Sequence, residues 1–460
     1  MSIAAAIFRQ NDIRGVVGDD LTIEAAGAIG GAFALYLARH GVTQPVAVGR
    51  DNRPNGMALR DSLVAGLTAS GVDVVDIGVV PTPLLYWSLS HLDVGAGIQI
   101  TGSHNPPEYN GFKLCLGTES LHGHDIQHLL GLIRANAAPK GNGAVRQEQV
   151  IDRYVADVAQ RVGTLSRPLR IVYDCGNGAG ALVAPQLMRA IGVQGTGLFC
   201  ESDGTFPNHH PDPTVPANLE DLIAAVKRDG AELGVAFDGD ADRIGAVDGE
   251  GRVIWGDQLL MILAEPVLKE QPGATIIADV KASQLLFDRV GELGGTPLMW
   301  KTGHSLIKSK MKETGSPLAG EMSGHIFFKH RWYGFDDALY AAVRLIEAVS
   351  ESGKSLTELK SAMPTAVATP ELRFQVDEPR KFAIIDEVRD RLAADGAKVD
   401  ATDGVRVSTS DGWWLLRASN TQDVLVARAE SADQAGLDRL VGQIDDQLAR
   451  SGVERVEAVH

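Results

Sequence analysis

Cysteine is scarce in this chain of 460 residues, with three in all, Cys115, Cys175 and Cys200. They are far apart in sequence, odd in number and form no C-x-x-C, which excludes a disulfide framework and a cysteine zinc site and suits a reducing compartment. Long apolar runs are missing as well: no window reaches the ~18 residues of a membrane span. The start, MSIAAAIFRQNDIRG, lacks the basic region and apolar length of a secretory signal. A soluble, cytoplasmic protein is the expectation. Basic charge is in the minority, with 43 Lys and Arg against 59 Asp and Glu, a formal charge of −16. That balance argues against nucleic acid or an anionic membrane as a partner, because such partners are met with a basic face. A small phosphorylated substrate is still allowed, since it needs only a locally positive pocket.

Hydrophobic residues make up 44% and charged residues 22%, which is globular and too much chain for one core. Three times an apolar strand pattern runs into a polar or glycine turn and then a helix-like segment: PVAVGRDNR from 45, LRIVYDCGNGAG from 169 and ATIIADVKAS from 274. Strands alternating with helices imply βαβ units and a largely parallel sheet. The spacing predicts three similar α/β domains with mixed, mainly parallel sheets. Residues 135–149 read as a linker and 248–251 (DGEG) as a hairpin turn. The proline-bearing stretch 362–371 precedes a strand at 372–376, a helix at 380–394, three strands through Arg428 and a last helix at 432–450. That order reads as a C-terminal α+β domain. The expected domains are 1–148, 149–252, 253–364 and 365–460.

Four short segments carry chemistry. TGSHNP (101–106) follows an apolar alternation and puts Ser103 on a strand-exit loop, with His104 beside it and Lys113 ten residues on. Those residues suit an activated nucleophile with proton handlers, or a turn that hydrogen-bonds its own backbone. It is not a G-x-S-x-G elbow. FDGDADR (237–243) spaces Asp238, Asp240 and Asp242 two apart, so an extended backbone would send all three carboxylates to one side. A hard cation such as Mg²⁺ relieves that crowding. An EF-hand does not fit, because Arg243 and Gly249 stand where its glycine and glutamate belong. GEMSGH (320–325) offers Glu321 and Ser323 to sugar hydroxyls, or is an ordinary loop. RASNTQ (417–422) supplies Arg417, Ser419, Asn420 and Thr421, the donors of a phosphate cradle or of a polar hairpin turn.

In this order and at these separations, one motif per domain, the four segments resemble the α-D-phosphohexomutase superfamily. GEMSGH is most similar to the loop of its bacterial bifunctional phosphomannomutase/phosphoglucomutase branch. The resemblance implies four domains around a central cleft and interconversion of hexose 1- and 6-phosphates through a phosphoserine and a reorienting 1,6-bisphosphate. Nucleotide-sugar and polysaccharide synthesis is the pathway it implies. By resemblance Ser103 is the phosphorylated residue, and one Mg²⁺ is held by Asp238, Asp240, Asp242 and a phosphoserine oxygen. Glu321 and Ser323 read the sugar, while Arg417, Ser419, Asn420 and Thr421 grip the phosphate that is not reacting. Arg14, Lys113, Arg243, Lys281, His304 and His325 line the cleft, with Lys113 or His325 as general base. Asn11 stands where the family often has tyrosine. HHPDP (209–213) follows the family without evident chemistry and reads as a rigid loop. A monomer is expected, because such a cleft needs no partner. The rival readings are a phosphoglucosamine mutase, a metal-dependent sugar phosphatase and a sugar-phosphate sensor without turnover.

Overall fold

The computed structural model describes residues 3–419 and 422–454. Three sheets share one plan. In the first, the parallel strands Val74–Val79, Val46–Arg50 and Ala96–Ile100 are followed by antiparallel Tyr109–Leu116. In the second the same sequence of neighbours is Gln194–Leu198, Arg170–Asp174, Leu233–Phe237 and antiparallel Ile244–Asp248. In the third it is Thr296–Trp300, Thr275–Asp279, Leu318–Gly320 and antiparallel Ile326–Phe328. The expected three similar α/β domains are present, with mixed sheets.

The shared plan positions the chemistry. Each of the first three motif loops joins the third parallel strand to the antiparallel strand beside it, at 101–108, 238–243 and 321–325. Strands buried on both faces, such as Leu233–Phe237 and Ala96–Ile100, anchor these loops rigidly.

Helix Ala338–Ser352 is capped by the Asp337 carboxylate, which accepts from Tyr340 N; most of its residues are apolar, and its buried Arg344 and Glu347 pair with each other at 2.8 Å. It is accordingly buried in a core that the second and third domains share. Helix Thr82–His91 of the first domain inserts Leu84, Leu85 and Trp87 into that same core. The C-terminal domain has a separate core under its antiparallel sheet. It meets the third domain through a small apolar cluster of Val280, Trp413 and Leu415, and through polar bonds such as Arg406 to the Val280 and Ala282 carbonyls at 2.7 and 2.8 Å.

Two expectations need correction. Part of the supposed linker, Val145–Gln147, is an exposed edge strand parallel to Val74–Val79, because its amides find the free edge of the first sheet. Among the described residues the last domain has four strands after its first helix, not three; Lys398–Asp400 adds to the edge of Val405–Thr409, and the final strand runs on to Ser431. The DGEG segment is a hairpin turn, with Gly251 N on Asp248 O at 2.9 Å.

Candidate active site

A cavity of about 1100 Å³ is lined by residues from all four domains, among them Arg14, Ser103, Lys113, Arg243, Glu321 and Arg417. Ser103 Oγ donates to Asp238 Oδ2 at 3.0 Å and lies 3.1 Å from His104 Nδ1. Its backbone is left-handed, with φ of 52°, a conformation that a non-glycine residue holds only when its surroundings impose it.

Arg53 imposes it. This fully buried guanidinium donates to the carbonyls of Ser103 at 2.7 Å, Asn105 at 2.6 Å and Tyr109 at 3.1 Å, and to that of Pro106. Its Nε pairs with Asp51 Oδ2 at 3.1 Å, and Asp51 in turn accepts from Thr101 Oγ1 and Gly102 N. Arg53 and Asp51 were not among the residues singled out above. Their only trace in the sequence is an Asp and an Arg at the exit of an apolar strand. Lysine at 53 keeps the charge but loses the planar fork. Arg53→Lys is therefore expected to cost roughly 2–3 kcal/mol of stability through orphaned carbonyls, measured by urea unfolding.

The three aspartates do converge, with ligand oxygens within 4.8 Å of one another. They do so through a tight turn rather than an extended segment: Ala241 is left-handed at φ 56°, and Ala241 N bonds Asp238 O at 3.0 Å. Asp238 Oδ1 accepts from Asp242 N and Arg243 N, which closes the turn on itself. Burial, with Asp240 and Asp242 adding to it, pushes the Asp238 carboxyl well above the usual range. Asp242 is just as buried, yet Lys113 and His325 hold it below its ordinary value. Burial would lower the Lys113 ammonium, but Asp240, at 3.3 Å, and Asp242 raise it far above. Asp240 Oδ1 and Asp242 Oδ1 are buried and have no hydrogen-bond partner among the described residues. Orphaned hard oxygens in an acidic trio are the donor set of a divalent cation such as Mg²⁺. The residues present fit that ion.

The loops interlock backbone to backbone. A side chain on Gly239 would meet Ser103 O at 2.4 Å, so glycine lets the acidic turn run against the serine loop. Thr82 N bonds Asp240 O at 2.9 Å, and Thr82 Oγ1 donates to the Asp240 carboxylate. Ile244 N bonds Gly324 O at 3.0 Å, and Gly324, at φ 90°, has no room for a Cβ against Ile244 O. Arg243 Nε consequently reaches His325 Nε2 at 2.9 Å, and His325 Nδ1 lies 3.3 Å from Asp336 Oδ2. Burial, then Arg243 and Arg14, hold His104 well below the usual histidine value. Burial and Lys308 do the same to His304.

Arg14 donates to Asn105 Oδ1 at 2.7 Å and pairs with Asp12. Glu321 Oε1 accepts from Gly303 N at 2.6 Å, and half-buried Ser323 also lines the cavity. Lys281, which pairs with Glu371 at 3.3 Å, and His304 line it as well. Asn11 does too, with a buried Oδ1 that has no partner among the described residues. In the last domain Arg417 Nε donates to Asp403 Oδ2 at 3.0 Å, and Ser419 Oγ accepts from Gln422 N at 3.2 Å. Asn420 and Thr421 lie outside the described residues. HHPDP is a buttress: His209 Nε2 meets Asp174 Oδ2 at 3.0 Å, and Pro211 sits against Gly176 and Gly239. Of the residues that sequence reasoning missed, Arg53, Thr82, Asp336 and Asp403 are direct partners of the predicted ones, and Asp51 holds Arg53 and the start of the serine loop. Nothing in their local pattern marks them.

Comparison with known proteins gives the family of the chain. The phosphoglucomutase/phosphomannomutase alpha/beta/alpha domains I, II and III match residues 5–136, 152–251 and 255–367, and the C-terminal domain of that family matches 371–447. The chain is 48% identical over 449 residues to the phosphomannomutase/phosphoglucomutase of Pseudomonas aeruginosa, covering 97% of this chain and 96% of the relative. It is 46% identical over 446 residues to a Neisseria meningitidis phosphoglucomutase, with 96% of each covered. Its fold superposes on the crystal structure of a phosphoglucomutase/phosphomannomutase family protein from Burkholderia thailandensis with a TM-score of 0.92 at 45% identity, covering 98% of both chains. With every domain matched in order and nearly half the residues shared along the whole length, the chain belongs to the phosphoglucomutase/phosphomannomutase family.

Proposed function

We propose that this protein interconverts the 1- and 6-phosphates of mannose and glucose by phosphoryl transfer through Ser103. One observation carries the reading: a serine hydroxyl bonded to an acidic trio and an arginine on a separate domain line the same cavity. A nucleophile at one end and a phosphate grip at the other suit a substrate with two phosphorylated ends. The names of the relatives favour this over the phosphoglucosamine-mutase and phosphatase alternatives.

In this mechanism phosphorylated Ser103 gives its phosphoryl group to the free hydroxyl of a hexose monophosphate, and the other end of the bisphosphate returns one. Asp238, Asp240 and Asp242 would hold one Mg²⁺, and the bound ion would supply positive charge against the phosphoryl oxygens. Arg243 and Arg14 add cationic charge from the protein. Lys113 is already paired with Asp240 and Asp242, so its ammonium serves as a charge. His325, backed by Asp336, is the base we assign to the hydroxyl proton, its Nε2 being freed when Arg243 turns from it to the phosphoryl oxygens. His104, 3.1 Å from it, holds the Ser103 oxygen in place. Glu321 and Ser323 take sugar hydroxyls, with Lys281 and His304 beside them. Arg417, Ser419, Asn420 and Thr421 take the idle phosphate. The bisphosphate must turn end for end between transfers, and the separate core of the C-terminal domain suits the opening this requires.

Among the described residues no helix is long and apolar enough to cross a membrane. A cytoplasmic monomer acting on small hexose phosphates is the reading we adopt, with domains divided near residues 148, 252 and 364. A coupled assay with added hexose 1,6-bisphosphate tests the proposal, by comparing kcat/KM for mannose 1-phosphate and glucose 1-phosphate. Interconversion of both is expected; release of free phosphate, or no turnover, overturns it.

Arg417 should grip the idle phosphate in both orientations. Arg417→Ala is expected to weaken glucose 1-phosphate, glucose 6-phosphate and the bisphosphate alike, by roughly 1.5–3 kcal/mol for a lost charge-assisted bond. Lysine there recovers only part, because it lacks the fork. KM values measured in both directions decide it, and an effect on one monophosphate alone rules out the shared site.

A further inference from the structure

Two of the three cysteines, remote in sequence, meet behind the acidic turn. Cys175 follows strand Arg170–Asp174 and Cys200 follows the adjacent strand Gln194–Leu198, and parallel pairing brings their sulfurs to 3.4 Å. Cys175 is buried, whereas Cys200 is partly exposed and also directs its thiol to Leu198 O at 3.4 Å.

What surrounds the pair gives it a route to the active site. The turn that Cys175 opens continues through left-handed Asn177, φ 57°, to Gly178, whose added Cβ would strike Gly239 O at 2.7 Å. Ala179 N bonds that same Gly239 carbonyl at 2.9 Å. Gly239 lies between Asp238 and Asp240, so the turn forms the floor of the acidic loop. On the Cys200 side, Phe199 is left-handed at φ 48° and its carbonyl accepts from Asn177 N at 3.0 Å. Asn52, the neighbour of Arg53, donates one amide to both Asn177 O at 2.7 Å and Ser202 Oγ at 2.9 Å. The two cysteine segments thus touch the cation-binding turn and Asn52, the neighbour of the arginine that shapes the Ser103 loop.

We propose that Cys175 and Cys200 are a modification site, a dithiol that a hydroperoxide oxidises to a disulfide, and that closing this bond switches the enzyme off by displacing the acidic turn. The Cys200 sulfur attacks the peroxide, breaking its O–O bond and giving a sulfenic acid and one water (or alcohol). Cys175 then attacks that sulfur, the S–S bond forms and a second water leaves. The two thiols lose two electrons and two protons, and the peroxide is reduced by the same two electrons. The hydrogen bond with Cys175 lowers the Cys200 thiol below its ordinary value, which favours the partly exposed sulfur as the attacking one. Bonding needs a separation of about 2.05 Å, so the sulfurs must close by more than 1 Å from 3.4 Å. A misplacement of about 1 Å next to reacting groups is enough to cost up to roughly a hundredfold in rate.

The test treats the full-length enzyme with hydrogen peroxide, followed by peptide mapping without reduction. Expected is a cross-linked Cys175–Cys200 peptide lighter by about 2 Da than its reduced parts, with Cys115 still a free thiol. Mutase activity should fall at least about tenfold and the Mg²⁺-dependent rise in melting temperature should shrink. Dithiothreitol should restore both, and Cys200→Ser should keep its activity under peroxide. The cross-link is read by mass and the metal effect by melting, so both can be judged even if the substrates are not hexose phosphates. Cys200 oxidised without a cross-link, or a cross-linked enzyme with undiminished activity, overturns the proposal; the mapping on the unsubstituted protein decides it should the serine variant not fold.

Discussion

Replacing Ser103 with alanine is expected to lower turnover at least roughly a thousandfold, the scale of losing a covalent nucleophile, while the protein stays folded. The fold should survive because little of the local structure depends on the hydroxyl. Ser103 Oγ makes one bond, to Asp238, and one contact with His104. The left-handed backbone at 103 is held by Arg53 through carbonyl oxygens that alanine also has. Alanine and serine meet the same steric demand at φ 52°, so the stability change should stay within about 3 kcal/mol, the upper range for one hydrogen bond to a charged group. Intact mass before substitution should show an added phosphate that maps to Ser103. Near-normal mutase activity in the alanine variant would sink the covalent relay.

The second large effect is expected from the acidic trio. Asp240→Asn removes one of three negative charges around the cation, while its oxygen can still accept from Thr82 and Thr101. Mg²⁺ affinity should drop at least roughly tenfold, since even the outer partners of metal ligands are worth that much. Turnover should fall with it, and the stabilisation that Mg²⁺ gives in thermal melts should largely vanish. Exhaustive chelation of the unsubstituted enzyme should abolish activity and Mg²⁺ should restore it. Activity that survives chelation would mean that the trio is a structural turn and that Lys113 alone balances it.

Much of the site was legible because its chemistry is concentrated. Asp238, Asp240 and Asp242 are two residues apart in one loop, and any backbone that folds there must deal with three carboxylates. Ser103 and Arg417 lie in loops whose residue types are unusual enough together to carry a family resemblance. The pairs that hold these groups in place were not legible. Arg53 serves the Ser103 loop from 50 residues away, and Asp403 orients Arg417 from across a hairpin. Asp336 backs His325 from the next strand. Cys175 and Cys200 read as isolated thiols until the parallel register set them side by side.

The same division runs through the fold. The sequence by itself determined the alternation of strand and helix, the three similar domains followed by a different one, and the loops that carry Ser103, the acidic trio and Arg417. These follow from local periodicity and from residue types that few turns would tolerate without a reason. Only the tertiary structure decided that all three motif loops occupy one topological place, and that Gly239 and Gly324 let them lock together backbone to backbone. It alone decided that the exposed stretch Val145–Gln147 completes a sheet edge, and that the last domain keeps a core of its own. The reason is physical: edge pairing, close backbone approach and buried ion pairs depend on which segments meet, and that is a property of the packed chain and of no window within it.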